Sequence, residues 1–184
     1  MQFVKLNIFH YIKSALRAVY YLIRFGPKIN IDPSSWISRK AVLRRSGGGY
    51  IQIGPLCEIG DYCIIDACGG FVVIGSNCSL NPFSIANGYG GLSIENDVRI
   101  ASHCTILTSK HITTDIKKPI SLQGVSKMAT SISSDVWIGS HTVILGGVKV
   151  GGKSVVGAGS IVNRDVIEFS VVAGNPAKII RLRA

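Results

Sequence analysis

The stretch SISSDVWIGSHTVILGGVKVGGKSVVGAGSIVNRDV, residues 131–166, repeats with a period of six residues. A branched aliphatic residue opens each repeat, at Ile132, Ile138, Ile144, Val150, Val156 and Val162. Four residues later stands a small or β-branched residue, at Val136, Thr142, Val148, Ser154, Ser160 and Val166. This short period is typical of a parallel β-helix, in which each repeat is one short strand and a turn, and only stacking of coils buries the aliphatic position.

The same register continues towards the N-terminus with interruptions. In-phase aliphatic residues stand at Ile37, Leu43, Ile53, Ile59, Ile65, Ile74, Leu80, Ile94, Ile100 and Ile106. Residues 36–49 are interpreted as a degraded first coil, and residues 87–91 (NGYGG) as a glycine-rich turn. Residues 108–131 are polar and basic, so we expect them to leave the solenoid as one long loop. A long loop on a rigid scaffold is often functional, although a disordered loop without a function is the alternative.

The N-terminal segment predicts a helix from Phe3 to Ile23, ended by Gly26 and Pro27. We therefore divide the chain into an amphipathic leader, residues 1–30, and one solenoid domain, residues 31–184. Three basic residues interrupt the helix and no cleavage motif follows, so neither a membrane span nor a signal peptide is expected, and a cytoplasmic protein is the default.

Positive charge is concentrated in this leader and the first coil. Residues 1–45 hold nine Lys and Arg and one acid, a net +8 of the chain's +10. A basic amphipathic helix over residues 3–25 suits the surface of an anionic membrane, whereas packing on the solenoid end or on a neighbouring subunit is a compatible alternative. Nucleic acid is not expected as a partner, because no recognition motif is present.

Four of the five cysteines are interpreted as core residues. Cys57, Cys63, Cys78 and Cys104 each stand four residues after an in-phase aliphatic, where other repeats carry Ser, Thr or Val. Because there is no CxxC spacing and the count of five is odd, neither a zinc knuckle nor a disulfide framework is expected.

His111 is the candidate general base. It follows the last in-phase strand, where the long loop departs, and a histidine held at such a junction is well placed to move a proton. His103 and His141 stand three residues after an aliphatic, a turn position that is usually exposed. A surface histidine is the alternative for His111.

Several motifs together resemble the hexapeptide-repeat acyltransferases. They are VRIASHCTILTSKH (residues 98–111), VWIG (residues 136–139), GAGS (residues 157–160) and AGNPAK (residues 173–178). The likeness covers about residues 50–183 and is closest to galactoside and maltose O-acetyltransferases and to the O-acetyltransferases of bacterial surface polysaccharides. It implies an all-β, left-handed parallel β-helix, a homotrimer with active sites between subunits, and acetyl-CoA as acyl donor without a metal. The repeat itself predicts neither the handedness nor the trimer, and parallel crossovers in general prefer the right hand.

The resemblance also implies roles for particular residues. His111 matches the family's catalytic base, and Asn81 matches an acceptor-side asparagine for which a turn asparagine is the alternative. Matches to the cofactor site are Trp137, Ser140, Ala158, Asn163, Arg164, Lys178 and Arg181. Ile112 departs from the family pattern, and the acceptor-binding leader of the galactoside and maltose enzymes has no match in residues 1–45.

The predicted function is acetyl transfer from acetyl-CoA directly to a sugar hydroxyl, in surface-polysaccharide or glycolipid assembly. One alternative is an amino sugar, serine or a small xenobiotic as acceptor. A second is a zinc enzyme of the γ-carbonic anhydrase type, in which His103, His111 and His141 would supply three ligands. A third is a non-catalytic scaffold.

Overall fold

A computed structural model describes residues 8–183. The helix α1 (Ile8–Phe25) is followed by a 3₁₀ turn (Gly26–Lys28) and then by short parallel strands. The predicted helix therefore ends two residues later than expected, at Phe25, and its residues 3–7 lie outside the described part. The solenoid starts at Ile29, so the first coil is longer than the segment from residue 36 that the pattern indicated.

Within the described residues three sheets of mainly parallel strands form the three faces of a triangular prism, and a two-stranded antiparallel sheet lies outside it. Sheet A contains β1 (Ile29–Ile31), β4 (Tyr50–Ile53), β7 (Phe71–Ile74), β10 (Leu92–Ile94), β15 (Thr130–Ile132) and β18 (Lys149–Val150). Sheet B contains β2 (Trp36–Ile37), β5 (Glu58–Ile59), β8 (Ser79–Leu80), β11 (Arg99–Ile100), β16 (Trp137–Ile138), β19 (Val155–Val156), β21 (Ser170–Gly174) and the antiparallel β22 (Ala177–Leu182). Sheet C contains β3 (Val42–Arg44), β6 (Ile64–Asp66), β9 (Ile85–Asn87), β12 (Thr105–Ile106), β17 (Val143–Ile144) and β20 (Ile161–Val162).

The hexapeptide register is the core of this prism. Every in-phase aliphatic residue from Ile132 to Val162 is at most 1% exposed, and the partner positions from Val136 to Val166 are all buried. Cys57, Cys63, Cys78 and Cys104 are buried among them, which confirms their assignment as core residues. Burial raises the pKa of the Cys63 and Cys104 thiols, so the neutral thiol is the form that the core holds.

All interruptions of the register lie at one corner of the prism, where sheet C passes to sheet A. Across the other two corners the inward residues keep six-residue spacing, as in Ile53, Ile59 and Ile65. At the C-to-A corner the chain adds residues in the first three coils, and in the fourth coil it leaves the solenoid altogether. The glycine-rich turn predicted at residues 87–91 is one of these corners.

The excursion is shorter and more ordered than the predicted loop of residues 108–131. Thr108 is buried, and Thr130 and Ser131 already belong to β15. Between them, β13 (Ser109–His111) pairs antiparallel with β14 (Val125–Lys127), and a 3₁₀ turn (Ile120–Leu122) lies near the tip. We call this hairpin, residues 109–129, the arm.

Candidate active site

His111 is the last residue of β13 and lies opposite Val125 across the arm. Its side chain is exposed. The arm continues beyond it, because the N–H of Ile112 donates to the carbonyl of Gly124 (3.1 Å). The imidazole is therefore held on a paired strand outside the solenoid and is open to a reactant.

The far end of the arm is organised by one glutamine. Gln123 Nε2 donates to the carbonyls of Asp115 and Lys118, both at 2.8 Å, and its Oε1 accepts the N–H of Asp115 (2.9 Å). Lys118 and Asp115 also form an exposed ion pair at 3.6 Å. These contacts keep the tip compact although Ile116 is 95% exposed.

A buried polar cluster anchors the base of the arm. Thr108 Oγ1 lies 2.9 Å from Asn87 Oδ1 and accepts the N–H of Gly90 (3.0 Å), and the Thr108 carbonyl accepts the N–H of Met128 (2.8 Å). On the returning strand, Thr130 Oγ1 donates to the carbonyl of Leu107 (2.7 Å). Sequence reasoning missed this cluster. The available signal was Thr108, a polar residue two positions beyond the last in-phase aliphatic before the arm.

Close backbone packing completes this base. A Cβ on Gly90 would lie 2.2 Å from the Thr108 carbonyl oxygen and 2.4 Å from the Met128 nitrogen. Only glycine lets the third-coil corner approach both strands of the arm this closely. The direction of the arm is thus determined by the coil beneath it.

Trp137 and the C-terminal basic residues lie on sheet B. Trp137 opens β16, and its side chain is 56% exposed. It stands in a row of outward positions that runs through Val155 and Val171 to Arg181. With strands about 4.8 Å apart, Trp137 and Arg181 are separated by roughly 14 Å across the sheet. Lys178 lies on the same final strand, opposite Ala173, and is also exposed.

Ser140 and Ala158 occupy successive turns of the corner between sheets B and C. The N–H of Gly159 donates to the Ser140 carbonyl (2.8 Å). A Cβ on Gly139 would lie 2.5 Å from the Ala158 nitrogen, so the two turns pack backbone against backbone. The structure therefore brings together Trp137, Ser140 and Ala158 as one continuous surface around β16 and β19.

The remaining predicted residues are distributed over two corners. Asn81 lies at the start of a B-to-C corner two coils before Ser140, and its Nδ2 donates to the Ile100 carbonyl (2.8 Å). Asn163 and Arg164 are exposed at the C-to-A corner, on the same edge of the prism as the arm. Within one chain, sheet C separates His111, Asn163 and Arg164 from the surface around Trp137.

A column of stacked rings runs along the B-to-C corner. Tyr62, Phe83, His103 and His141 stack at centroid distances of 5.1, 4.9 and 4.8 Å, with ring planes within 12° of parallel. Each ring stands three residues after an in-phase aliphatic, and each has a positive φ. The sequence carried this signal for all four rings, although only the histidines were noted as exposed turn residues.

The column bears on the zinc alternative. His103 and His141 stack face to face at the B-to-C corner, whereas His111 lies at the C-to-A corner. Among residues 8–183, no group of three or more His, Cys, Asp or Glu is arranged to hold a metal ion. The three histidines are not brought together within one chain.

Known proteins share parts of this chain's sequence and nearly all of its fold. No family model matches the chain. Galactoside O-acetyltransferase of Escherichia coli K12 is 37% identical over 91 residues, 49% of this chain and 43% of that protein. A chloramphenicol acetyltransferase of Escherichia coli is 50% identical over 54 residues, 29% of this chain and 26% of that protein. The chain thus spans less than half the length of these curated relatives.

Among solved structures, a variant of AntD from Bacillus cereus superimposes with a TM-score of 0.77 at 24% identity, covering 90% of this chain and 89% of AntD. AntD is an N-acyltransferase, and that crystal structure contains dTDP-4-amino-4,6-dideoxyglucose and coenzyme A. At this identity the likeness establishes the fold, and the parallel solenoid matches a left-handed β-helix. In fold over nine tenths of its length, and in sequence over the matched segments, the chain is similar to the hexapeptide-repeat acyltransferases.

Proposed function

We propose that the chain is an acetyl-CoA-dependent O-acetyltransferase that transfers an acetyl group directly to a sugar hydroxyl. The observation that carries the proposal is the arm, which presents the exposed His111 from a corner of an acyltransferase-type solenoid. AntD was crystallised with coenzyme A, and a partial relative is a galactoside O-acetyltransferase. Both support an acyl-CoA donor and a carbohydrate acceptor.

In the proposed reaction, His111 takes the proton of the acceptor hydroxyl as that oxygen attacks the thioester carbonyl. A base is needed because an alcohol is barely ionised near neutral pH, and imidazole titrates in the useful range. The carbon–sulfur bond then breaks, and the imidazolium returns the proton to the departing thiolate of coenzyme A. No acyl-enzyme is invoked, because Cys104, the nearest cysteine in sequence, faces the core.

The surface around Trp137 fits the donor. The exposed indole can pack against the pantetheine chain of the donor, and the backbone turns at Ser140 and Ala158 offer it polar groups. Arg181 is an exposed cation about 14 Å further along the row, and Lys178 is a second exposed cation on the same final strand; both suit charge-assisted contacts to phosphates. Asn163 and Arg164 are proposed to lie beside the nucleotide.

A homotrimer completes the site in this proposal. Because sheet C separates His111 from Trp137 within one chain, the base of one subunit is proposed to meet the donor surface of its neighbour. The arm's Lys110, Lys117, Lys118 and Lys127 and its exposed apolar residues Ile116 and Leu122 are available for that contact. Asn81, whose Oδ1 accepts no protein hydrogen bond in residues 8–183, is proposed to contact the acceptor on the donor-side subunit.

The acceptor is proposed from the charge of the leader and from the ligand of a structural neighbour. A lipid-linked glycan in surface-polysaccharide or glycolipid assembly, modified at the cytoplasmic face of the membrane, suits the basic leader. The second candidate is an amino sugar, favoured by the aminosugar nucleotide in the AntD structure. Locating the acetyl group on oxygen or nitrogen in the product distinguishes the two.

The test compares His111→Ala with His103→Asn in the full chain. Removing the base is expected to lower kcat by about 10²–10⁴-fold while the trimer stays folded. His103→Asn also removes an exposed imidazole, and asparagine tolerates the positive φ of 60° there; because this change leaves the arm intact, kcat is expected to fall far less than in His111→Ala. Unchanged turnover in a folded His111→Ala trimer would exclude His111 as the base. Absence of any coenzyme A binding by calorimetry would favour a non-catalytic scaffold.

A further inference from the structure

Helix α1 has two apolar sides, and only one of them is covered. Ser14, Ala18 and Tyr21 are buried, and Phe25 packs on the same cluster. On the opposite side, large apolar side chains are 49–80% exposed at Ile12, Leu16, Val19, Tyr20 and Ile23. We call these five residues the outer stripe. At about 100° per residue they form one face, roughly 180° from the buried side.

The covered side caps the first coil of the solenoid. Tyr21 and Ala18 join the hydrophobic core there, and α1 contacts β1 and β2. Arg17 reaches the far side of the coil, where its Nη2 lies 3.4 Å from the Ala41 carbonyl. Because the helix is fixed to the solenoid in this way, the outer stripe faces away from the rest of the chain.

Helix α1 and the turn after it carry only positive charge, and Asp32, the first acid after them, is hydrogen-bonded to Ser34. Residues 8–31 contain no acid. Arg24 borders the stripe, Lys28 follows the helix and Arg39 lies on the first coil; none of the three forms an ion pair within the described residues. By contrast, Lys40 and Arg44 of the same coil are paired with Asp61 and Asp66. The end of the solenoid therefore presents apolar area edged by uncompensated cations.

We propose that the outer stripe docks on an anionic phospholipid bilayer. The helix lies parallel to the surface, with its five apolar side chains below the headgroups and with Arg24, Lys28 and Arg39 at the phosphates. An apolar face with a basic border and no acid is what such a surface binds. A second copy of the same face is a poorer occupant, because residues 8–31 of either copy supply no acid to pair with the other copy's Arg24.

The docking is a surface attachment and not a crossing. The helix is about 27 Å long, but none of the helices in residues 8–183 has the length and hydrophobicity that a bilayer crossing needs. The attachment does not depend on acetyl transfer, and it is measured without turnover. Its failure and the failure of the proposed reaction are therefore distinguishable.

The experiment is co-sedimentation of the full chain with vesicles of phosphatidylcholine alone or mixed with phosphatidylglycerol. Wild type is expected to bind the mixed vesicles, less so at high salt, and to bind pure phosphatidylcholine weakly. Leu16→Glu combined with Ile23→Glu is expected to weaken binding by about tenfold or more, because two apolar side chains that would enter the bilayer are replaced by carboxylates. Arg24→Glu combined with Lys28→Glu is expected to abolish the preference for phosphatidylglycerol.

The matched control is Ile167→Glu, which makes the same change at a 56% exposed residue in the last coil, far from α1. It is expected to bind vesicles as wild type does. All five changed residues are exposed, and circular dichroism verifies folding. The proposal is overturned if the Leu16 and Ile23 variant binds the mixed vesicles as wild type does. It is also overturned if phosphatidylglycerol does not increase the binding of wild type to vesicles. It is also overturned if that variant lowers the mass of the oligomer in light scattering, because the stripe would then be an interface between copies.

Discussion

Thr108→Val is the sharpest test of how the arm is held. Thr108 is fully buried, and valine has nearly its shape, so the change removes the hydroxyl and little else. The N–H of Gly90 then loses its acceptor, and the Asn87 oxygens lose the hydroxyl that lies 2.9 and 3.1 Å away. The main-chain bond from Met128 to the Thr108 carbonyl remains, so the arm is loosened and not released.

The expected loss of stability follows from these groups. A buried donor left without a partner costs about 1–3 kcal/mol, and the lost bond itself about 1 kcal/mol, so we expect a total of about 2–4 kcal/mol. For a chain of this size that lowers Tm by about 4–16 °C. Because the arm also carries His111, a small displacement of the imidazole is expected to lower kcat by about tenfold or more, with less effect on KM.

Thermal unfolding and acetyl transfer to a glycan acceptor are the two assays, and Thr105→Val is the control. Thr105 is in the strand that leads to the arm, but its hydroxyl makes no hydrogen bond within residues 8–183. It should therefore keep Tm and kcat close to wild type. Equal Tm values for the two variants would refute the hydrogen-bond accounting. A destabilised Thr108→Val with unchanged kcat would refute the role of this cluster in placing His111.

Two further predictions concern the corners and the core. Asp66 is buried and accepts hydrogen bonds from Arg44 Nε (2.6 Å), Ser46 Oγ (2.7 Å) and the N–H of Cys68 (3.0 Å). Burial acts to raise the pKa of its carboxyl, but these three hydrogen bonds hold that pKa below the usual value. Because the folded pKa is lowered, this stabilisation is present above about pH 4 and is lost as pH falls through the folded value. Asp66→Asn is therefore expected to lower the free energy of unfolding by about 1–2 kcal/mol at neutral pH, and by progressively less towards pH 3, in denaturant titrations. A difference in stability that is independent of pH would contradict this linkage. In thiol labelling of the native protein, Cys68 is expected to react and the four buried cysteines only on unfolding, and more than one fast thiol per chain would show that the core is more open than described.

The core could be predicted from sequence because a six-residue period leaves few choices for which residues face inward. Each of Ile132, Ile138 and Ile144 is fully buried, as the repeat predicted, and the four buried cysteines follow from the same register. The helix was also predictable, from its spacing of apolar residues. Its two separate apolar sides were not, because a periodic pattern does not show which residues the solenoid end covers.

The candidate site was predictable only in part. The place of His111 followed from the point where the register fails, whereas the roles proposed for Trp137 and Arg181 rest on resemblance. Their arrangement in one outward row depends on strand pairing that the sequence does not state. The Thr108 cluster was missed because its partners, Asn87 and Gly90, belong to the preceding coil.

By itself the sequence determined which residues face inward, since a period of six allows each strand only one buried face. The tertiary structure alone decided that every break in that period falls at one corner. A solenoid tolerates added residues only where they do not disturb the stacking of all three faces, and extra chain at a single corner can stack on itself. The arm is the largest of these additions, and the corner beneath it, packed through Gly90 and Thr108, determines where His111 is held.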